Sequence, residues 1–118
     1  MTPTFLETPE RIAVLGTPGG SRIISMVLLG ALDFAKGNNP YSWVSIPRFH
    51  HQFMPDVVEY EQGAFSSDEL SKLAALGHQL KETRHKYGDM QAVQLHKSAH
   101  TLTAASDPRG EGKAWVSP

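Results

Sequence analysis

Between residues 11 and 37 the hydrophobic period of the sequence changes once, across a hinge of proline and glycine. RIAVLG (Arg11 to Gly16) is a short apolar run of strand character. From Ser21 onward Ile24, Val27, Leu28, Ala31, Leu32 and Ala35 recur at i, i+3, i+4, i+7, i+8 and i+11, which predicts a helix that buries this stripe. Ser21 is placed to cap the helix, Gly37 to close it, and Pro40 to prevent its continuation. The joint between the two is GTPGGSRII (Gly16 to Ile24), so the chain passes from strand to helix through Pro18, Gly19 and Gly20. A strand–turn–helix unit of this kind commits the chain to a sheet with helices packed on it.

The remaining segments extend that plan. PTFLE precedes RIAVLG across a short TPE break and reads as its hairpin partner. WVSIPRFHHQFMPDVVEYEQG has no helical period and contains Pro47 and Pro55, so it is expected to be extended, with a strand over Asp56 to Glu61. In SSDELSKLAALGH, Ser66 and Glu69 have capping-box spacing, Leu70, Leu73 and Ala74 form an apolar face, and Gly77 stops the helix. DMQAVQLH and TLTAASD read as a hairpin turning at HKSA, and the tail DPRGEGKAWVSP as loop. The order β-β-α-β-α-β-β predicts an α+β fold with a mostly antiparallel sheet and two main helices. A chain of 118 residues is long enough for one domain, here residues 1–118.

Composition narrows the function. Eleven basic and twelve acidic side chains give a formal charge of −1, which argues against a nucleic-acid or polybasic membrane surface. There is no cysteine, hence no disulfide, thiolate metal site or cysteine nucleophile. The first eleven residues carry Glu7 and Glu10 and lack the basic-then-apolar order of a signal peptide. The longest apolar run, Ile23 to Leu32, is too short to span a bilayer.

Few groups remain for chemistry. Backbone N–H groups at a strand-to-helix turn have no intrahelical partner, and glycine lets a ligand approach the main chain. Gly19 and Gly20 therefore fit an oxyanion or carboxylate site built from backbone donors. They equally fit a tight turn that needs positive φ, and spacing alone favours that simpler role. The stretch matches neither the phosphate-binding nor the dinucleotide-binding glycine pattern. Six histidines raise the question of a metal. His50 and His51 are adjacent and diverge in an extended segment, while His96 and His100 flank an expected turn, so no metal and no other cofactor is expected. Ser21, Ser45 and Ser66 lack a nucleophile context, and Asp107 with Arg109 in SDPR reads as a loop-fixing pair.

Taken in order, TPT, GTPGGSRII, PRFHHQFMPD, E.G, L…GH and ASDPRGEGKA resemble the C-terminal part of the small subunit of gamma-glutamyltransferases (gamma-glutamyltranspeptidases), from Thr2 to about Ala114. The resemblance implies part of an N-terminal-nucleophile hydrolase αββα sandwich whose sheets are shared between two subunits made by self-cleavage. It also implies transfer of a γ-glutamyl group from glutathione or a related amide to water or an acceptor amine. The family's nucleophile is the N-terminal threonine of the small subunit. Gly19 and Gly20 correspond to the backbone oxyanion hole. The nucleophilic threonine, the acidic residue that holds the substrate amino group and the paired serines that hold its carboxylate have no counterpart here. In the family a methionine follows those serines and leads into SPT or TPT. MTPT thus implies that Met1 is an internal methionine of a longer product, and Thr2 and Thr4 are not its nucleophile. The chain is then expected to be inactive alone, and either to self-associate through uncovered sheet surfaces or to need the missing N-terminal part or large subunit. A periplasmic or extracellular site would follow bacterial relatives. The contrasting expectation is a non-catalytic binding or structural module that complements a partner chain.

Overall fold

The computed structural model describes residues 2–117, so the expectation about Met1 lies outside the described residues. In chain order the elements are β1 (Thr4–Glu7), β2 (Arg11–Gly16), α1 (Ile23–Ala35), α2 (Pro40–Ser45), β3 (Phe49–His50), β4 (Val58–Tyr60), α3 (Ser67–Ala75), β5 (Leu80–Glu82), β6 (Gln91–His96) and β7 (Thr101–Ser106). They divide into two compact units, Met1–Ile46 with Tyr87–Pro118, and Pro47–Lys86.

The first unit holds a four-stranded antiparallel sheet in the order β1-β2-β6-β7. Both hairpins expected from the sequence form, with Thr4 opposite Leu15 and Gln91 opposite Ser106. Leu6, Ala13, Leu15, Ala92 and Ala105 point to the face covered by α1 and α2, where they meet Met26, Phe34, Trp43, Val44 and Met90. The other face carries the cross-strand row Phe5–Val14–Val93–Ala104 and, beside it, Ile12, Leu95 and Leu102. This sheet is thus apolar on both sides, the pattern of strands meant to be covered twice. A concave hollow of about 510 Å³ lies on that second face, lined by Val14, Val93, Ala104, Ala114 and Trp115 among others.

Helix α1 is where the sequence expectation needs correcting. Its buried residues are Met26, Gly30, Asp33 and Phe34, while Ile24, Leu28 and Leu32 of the expected buried stripe are 79%, 56% and 52% exposed. The helix is apolar almost all round, so periodicity does not decide which side meets the sheet. Packing decides it: Gly30 faces Leu15 and Met90, whose side chains lie 3.6 Å from where its Cβ would sit, an ordinary contact distance. The start also shifts. Ser21 falls in a 3₁₀ turn (Gly20–Arg22), and Arg22 occupies the cap position with no side-chain cap. The expected end holds, with Gly37 at φ 92° and a closing bond from Asn38 N–H to Asp33 O.

The second half of helix α2, Trp43 to Ser45, falls in the segment expected to be extended and is a correction too. Asn39 accepts from Ser42 N–H at 3.1 Å and Pro40 sits at the first helical position. Its own signal, Asn-Pro as cap and first residue, outweighs the missing period over so few residues. Asp33, buried, accepts from Asn38 and Ser42 and so ties the end of α1 to α2. Arg11 donates to the terminal carbonyl of Phe34 at 2.9 Å and lies over its ring, completing the C-terminus of α1.

The second unit is a small sheet, β3-β4-β5, with β3/β4 antiparallel and β4/β5 parallel. The expected strand is present as β4, whereas β3 and β5 are too short to show a period. Phe65 joins Phe49 and Tyr60, at ring distances of 4.8 and 5.6 Å. Helix α3 begins with the expected capping box: Ser66 Oγ accepts from Glu69 N–H and Glu69 accepts from Ser66 N–H. Leu70 and Leu73 are half-buried, Ala74 is exposed, and Gly77 closes the helix.

The Ser66 N–H bond, more than any other interaction, holds the Glu69 carboxyl below the usual carboxylate range. A lowered folded pKa contributes stability that is complete above the unfolded value and is lost as pH falls through the folded one. Amide protection in the first turn of α3 should therefore drop on acidification through that range, with strand protection unchanged. Hydrogen exchange at stepped pH reads this, and Glu69→Ala should show the low protection already at neutral pH.

Candidate functional site

The turn between β2 and α1 carries the candidate site. β2 ends at Gly16 because the chain there leaves the sheet. Thr17 is completely buried, and Pro18, Gly19 and Gly20 emerge into solvent. Gly19 has φ 150° and Gly20 φ 58°, so both glycines occupy backbone space that other residues rarely adopt. A Cβ at Gly19 would meet the terminal methyl of Met26, the far end of a flexible side chain that can move aside, so the positive φ is what calls for glycine. At Gly20 the same atom would meet nothing within 4 Å.

The carbonyl of Gly19 accepts from Arg22 N–H at 3.1 Å, closing the turn. Neither the Gly19 nor the Gly20 N–H has an acceptor among the described residues. These two adjacent donors lie at the N-terminal end of α1, where aligned peptide dipoles favour negative charge. Arg22, from the same turn, stacks over Tyr87 with its guanidinium carbon 5.1 Å from the ring centre. The arrangement can receive an oxyanion through main-chain donors.

The other sequence candidates do not join it. His50 is buried against Gln52 (2.9 Å), and His51 is exposed and bonded to Asp56 (2.8 Å), so the neighbours do diverge. His96 lies 2.7 Å from Gln94 at the end of β6, and His100 sits in the turn before β7 at φ 51°. Among the described residues no three metal-binding side chains converge. Asp107 and Arg109 fix the loop after β7. The buried Asp107 carboxylate accepts from the N–H groups of Met90 (3.0 Å) and Arg109 (2.9 Å) and from the Arg109 guanidinium (3.1 Å). The same guanidinium donates to the carbonyls of Val44 and Ile46, both at 3.0 Å, at the end of α2.

Sequence reasoning missed two residues at the turn. Thr17 is hidden inside the GTPGG string as an apparent loop residue, and Met26 lies off the expected stripe. Only the position of Thr17 directly before the glycine loop hinted at a role.

The family model described as Gamma-glutamyltranspeptidase matches residues 1–117. The chain belongs to this family. It is 37% identical over 113 residues to the glutathione hydrolase proenzyme of Escherichia coli, covering 92% of this chain and 19% of that protein. To the Pseudomonas aeruginosa glutathione hydrolase proenzyme it is 34% identical, covering 98% of this chain and 21% of the relative. The chain thus spans about a fifth of the length of these curated relatives.

Among solved structures, a variant of the Helicobacter pylori gamma-glutamyltranspeptidase superposes with TM-score 0.83 at 32% identity, over 93% of this chain and 61% of that one. The Pseudomonas nitroreducens enzyme complexed with L-DON gives 0.83 at 31% identity, over 100% of this chain and 62% of that one. The fold is accordingly α+β, part of the N-terminal-nucleophile hydrolase sandwich, with a mostly antiparallel sheet. The sheet carrying α1 and α2 on one face accounts for one helical and one strand layer of it, and the doubly apolar strands β2 and β6 suit an inner strand layer.

Proposed function

We propose that the chain is the oxyanion-hole segment of a γ-glutamyl-transferring enzyme, acting on glutathione or a related γ-glutamyl amide. The observation that carries this reading is the pair of exposed, acceptor-free N–H groups at Gly19 and Gly20 in a member of this family. When a nucleophile adds to the γ-glutamyl carbonyl, charge develops on its oxygen. Fixed main-chain donors stabilise that charge without reorganising. The carbonyl then re-forms and expels the amine, leaving an acyl group for water or an acceptor amine.

The nucleophile, the acidic residue and the paired serines belong to sequence that this chain does not contain. Thr4 is paired with Leu15 inside the β1–β2 hairpin, and Thr2 precedes that strand. A donor pair with no nucleophile has no covalent step to accelerate. The purified chain should give no turnover of a chromogenic γ-glutamyl anilide, and clear turnover would overturn the assignment of the nucleophile to a missing segment.

The same reading supplies a partner. The uncovered apolar sheet face and the exposed side of α1 fit surfaces normally covered by the rest of the enzyme. Alone, the chain should associate with itself. Sedimentation velocity at micromolar concentration is expected to show species larger than the monomer, and a clean monomer would contradict this part. Residues 1–118 then form one partial domain of a periplasmic or extracellular enzyme, following the habit of bacterial relatives.

A further inference from the structure

We infer that Thr17 is the positioning residue of the glycine turn: its hydroxyl sets the Pro18–Gly19 peptide plane so that the Gly19 N–H faces outward. The functional meaning of this inference rests on the oxyanion reading of Gly19, whereas its structural content rests on geometry alone.

Thr17 is completely buried, and its Oγ1 donates to the Pro18 carbonyl at 2.8 Å. The same oxygen accepts the N–H of Asp89 at 3.1 Å, from the chain leading into β6. A hydroxyl has one proton and two lone pairs. The Asp89 N–H occupies a lone pair, so the proton is left for an acceptor. Two lie in range, the Pro18 oxygen and Met26 Sδ at 3.9 Å, and the much nearer carbonyl takes it.

The Pro18–Gly19 bond is not among the cis peptides, and in a planar trans peptide the C=O and N–H point in opposite directions. A carbonyl drawn toward a buried hydroxyl therefore turns the next N–H away from the interior. Gly19 is exposed, so that direction is solvent. Without this grip the plane would be soft, because it is followed by two glycines. Met26 closes the opposite side by occupying the space of a Gly19 Cβ. Through Asp89 the hydroxyl also ties the turn to the approach to β6, the sheet neighbour of β2. Thr17 thus transmits the rigidity of the sheet to one backbone donor.

The test is magic-angle-spinning NMR of the labelled chain, which reads torsions in monomeric and associated protein alike. Thr17→Val keeps the shape and removes the hydroxyl; Thr17→Ser keeps the hydroxyl. Pro18 ψ and Gly19 φ should move together in Thr17→Val and return to native values in Thr17→Ser, with β2 and α1 torsions unchanged. A side chain that merely fills space would leave both angles native in Thr17→Val, and that result would overturn the inference. Should Thr17→Val fail to fold, the unsubstituted chain decides. A slowly exchanging Thr17 hydroxyl proton close to the Asp89 amide and the Pro18 carbonyl carbon is expected, and its absence overturns the inference. These readouts do not involve turnover. An unmoved peptide plane therefore removes the role of Thr17 and leaves the oxyanion reading standing, whereas a rate indifferent to Gly19 removes the oxyanion reading alone.

Discussion

Gly19→Ala should lower kcat by about 10²–10³-fold when residues 2–117 replace the matching segment of the Escherichia coli relative. The substitution keeps the N–H and displaces it. The Met26 methyl can move aside for an alanine Cβ, but a φ of 150° is strained for any L side chain. The turn must open, which moves the donor away from the position of the oxyanion. Because the oxyanion exists only as the carbonyl is attacked, the loss should fall on kcat, with KM little changed. Gly20→Ala is the internal comparison. Its Cβ has open space and its φ of 58° is the left-handed region that alanine enters at a cost of about 1–2 kcal/mol, so the milder loss is expected there. Steady-state kinetics on the two variants reads the contrast. Equal rates in Gly19→Ala and the parent would remove Gly19 from the reaction.

The largest stability effect is expected at Asp107. Its carboxylate, 1% exposed, holds two backbone N–H groups and the Arg109 guanidinium, and that guanidinium also holds the end of α2. Asp107→Ala leaves a largely buried cation without its counter-charge and should cost about 3–5 kcal/mol. Asp107→Asn retains one oxygen acceptor and should cost less. Urea titration followed by circular dichroism measures both, as a lower midpoint at unchanged slope. A loss under about 1 kcal/mol in Asp107→Ala would mean that the pair is solvated and contributes as a surface pair does.

The parts of the fold legible in the sequence are those governed by local chemistry. The capping box of α3 and the glycine stops at Gly37 and Gly77 require only the groups that the sequence places within one turn of each other. Both hairpins around the central sheet were readable because β1, β2, β6 and β7 are apolar runs separated by turn residues. The failures share a cause as well. Helix α1 carries apolar residues on nearly every side, so its sheet-facing side is chosen by contacts with Leu15 and Met90, far away in sequence. Helix α2 covers fewer than two turns and has no period to detect. At the turn, Gly19 and Gly20 are legible as glycines that supply positive φ, the role that spacing alone favours. Thr17 was not visible, because its role depends on a bond to Asp89, 72 positions away.

The most direct measurement is hydrolysis of a chromogenic γ-glutamyl anilide by the chimaera that joins residues 2–117 to the upstream part of the Escherichia coli relative. Turnover within about tenfold of the parent enzyme, a difference of about 1.4 kcal/mol in barrier, is the expected result. A folded chimaera of native size that leaves the anilide intact would contradict the assignment of this chain to γ-glutamyl transfer.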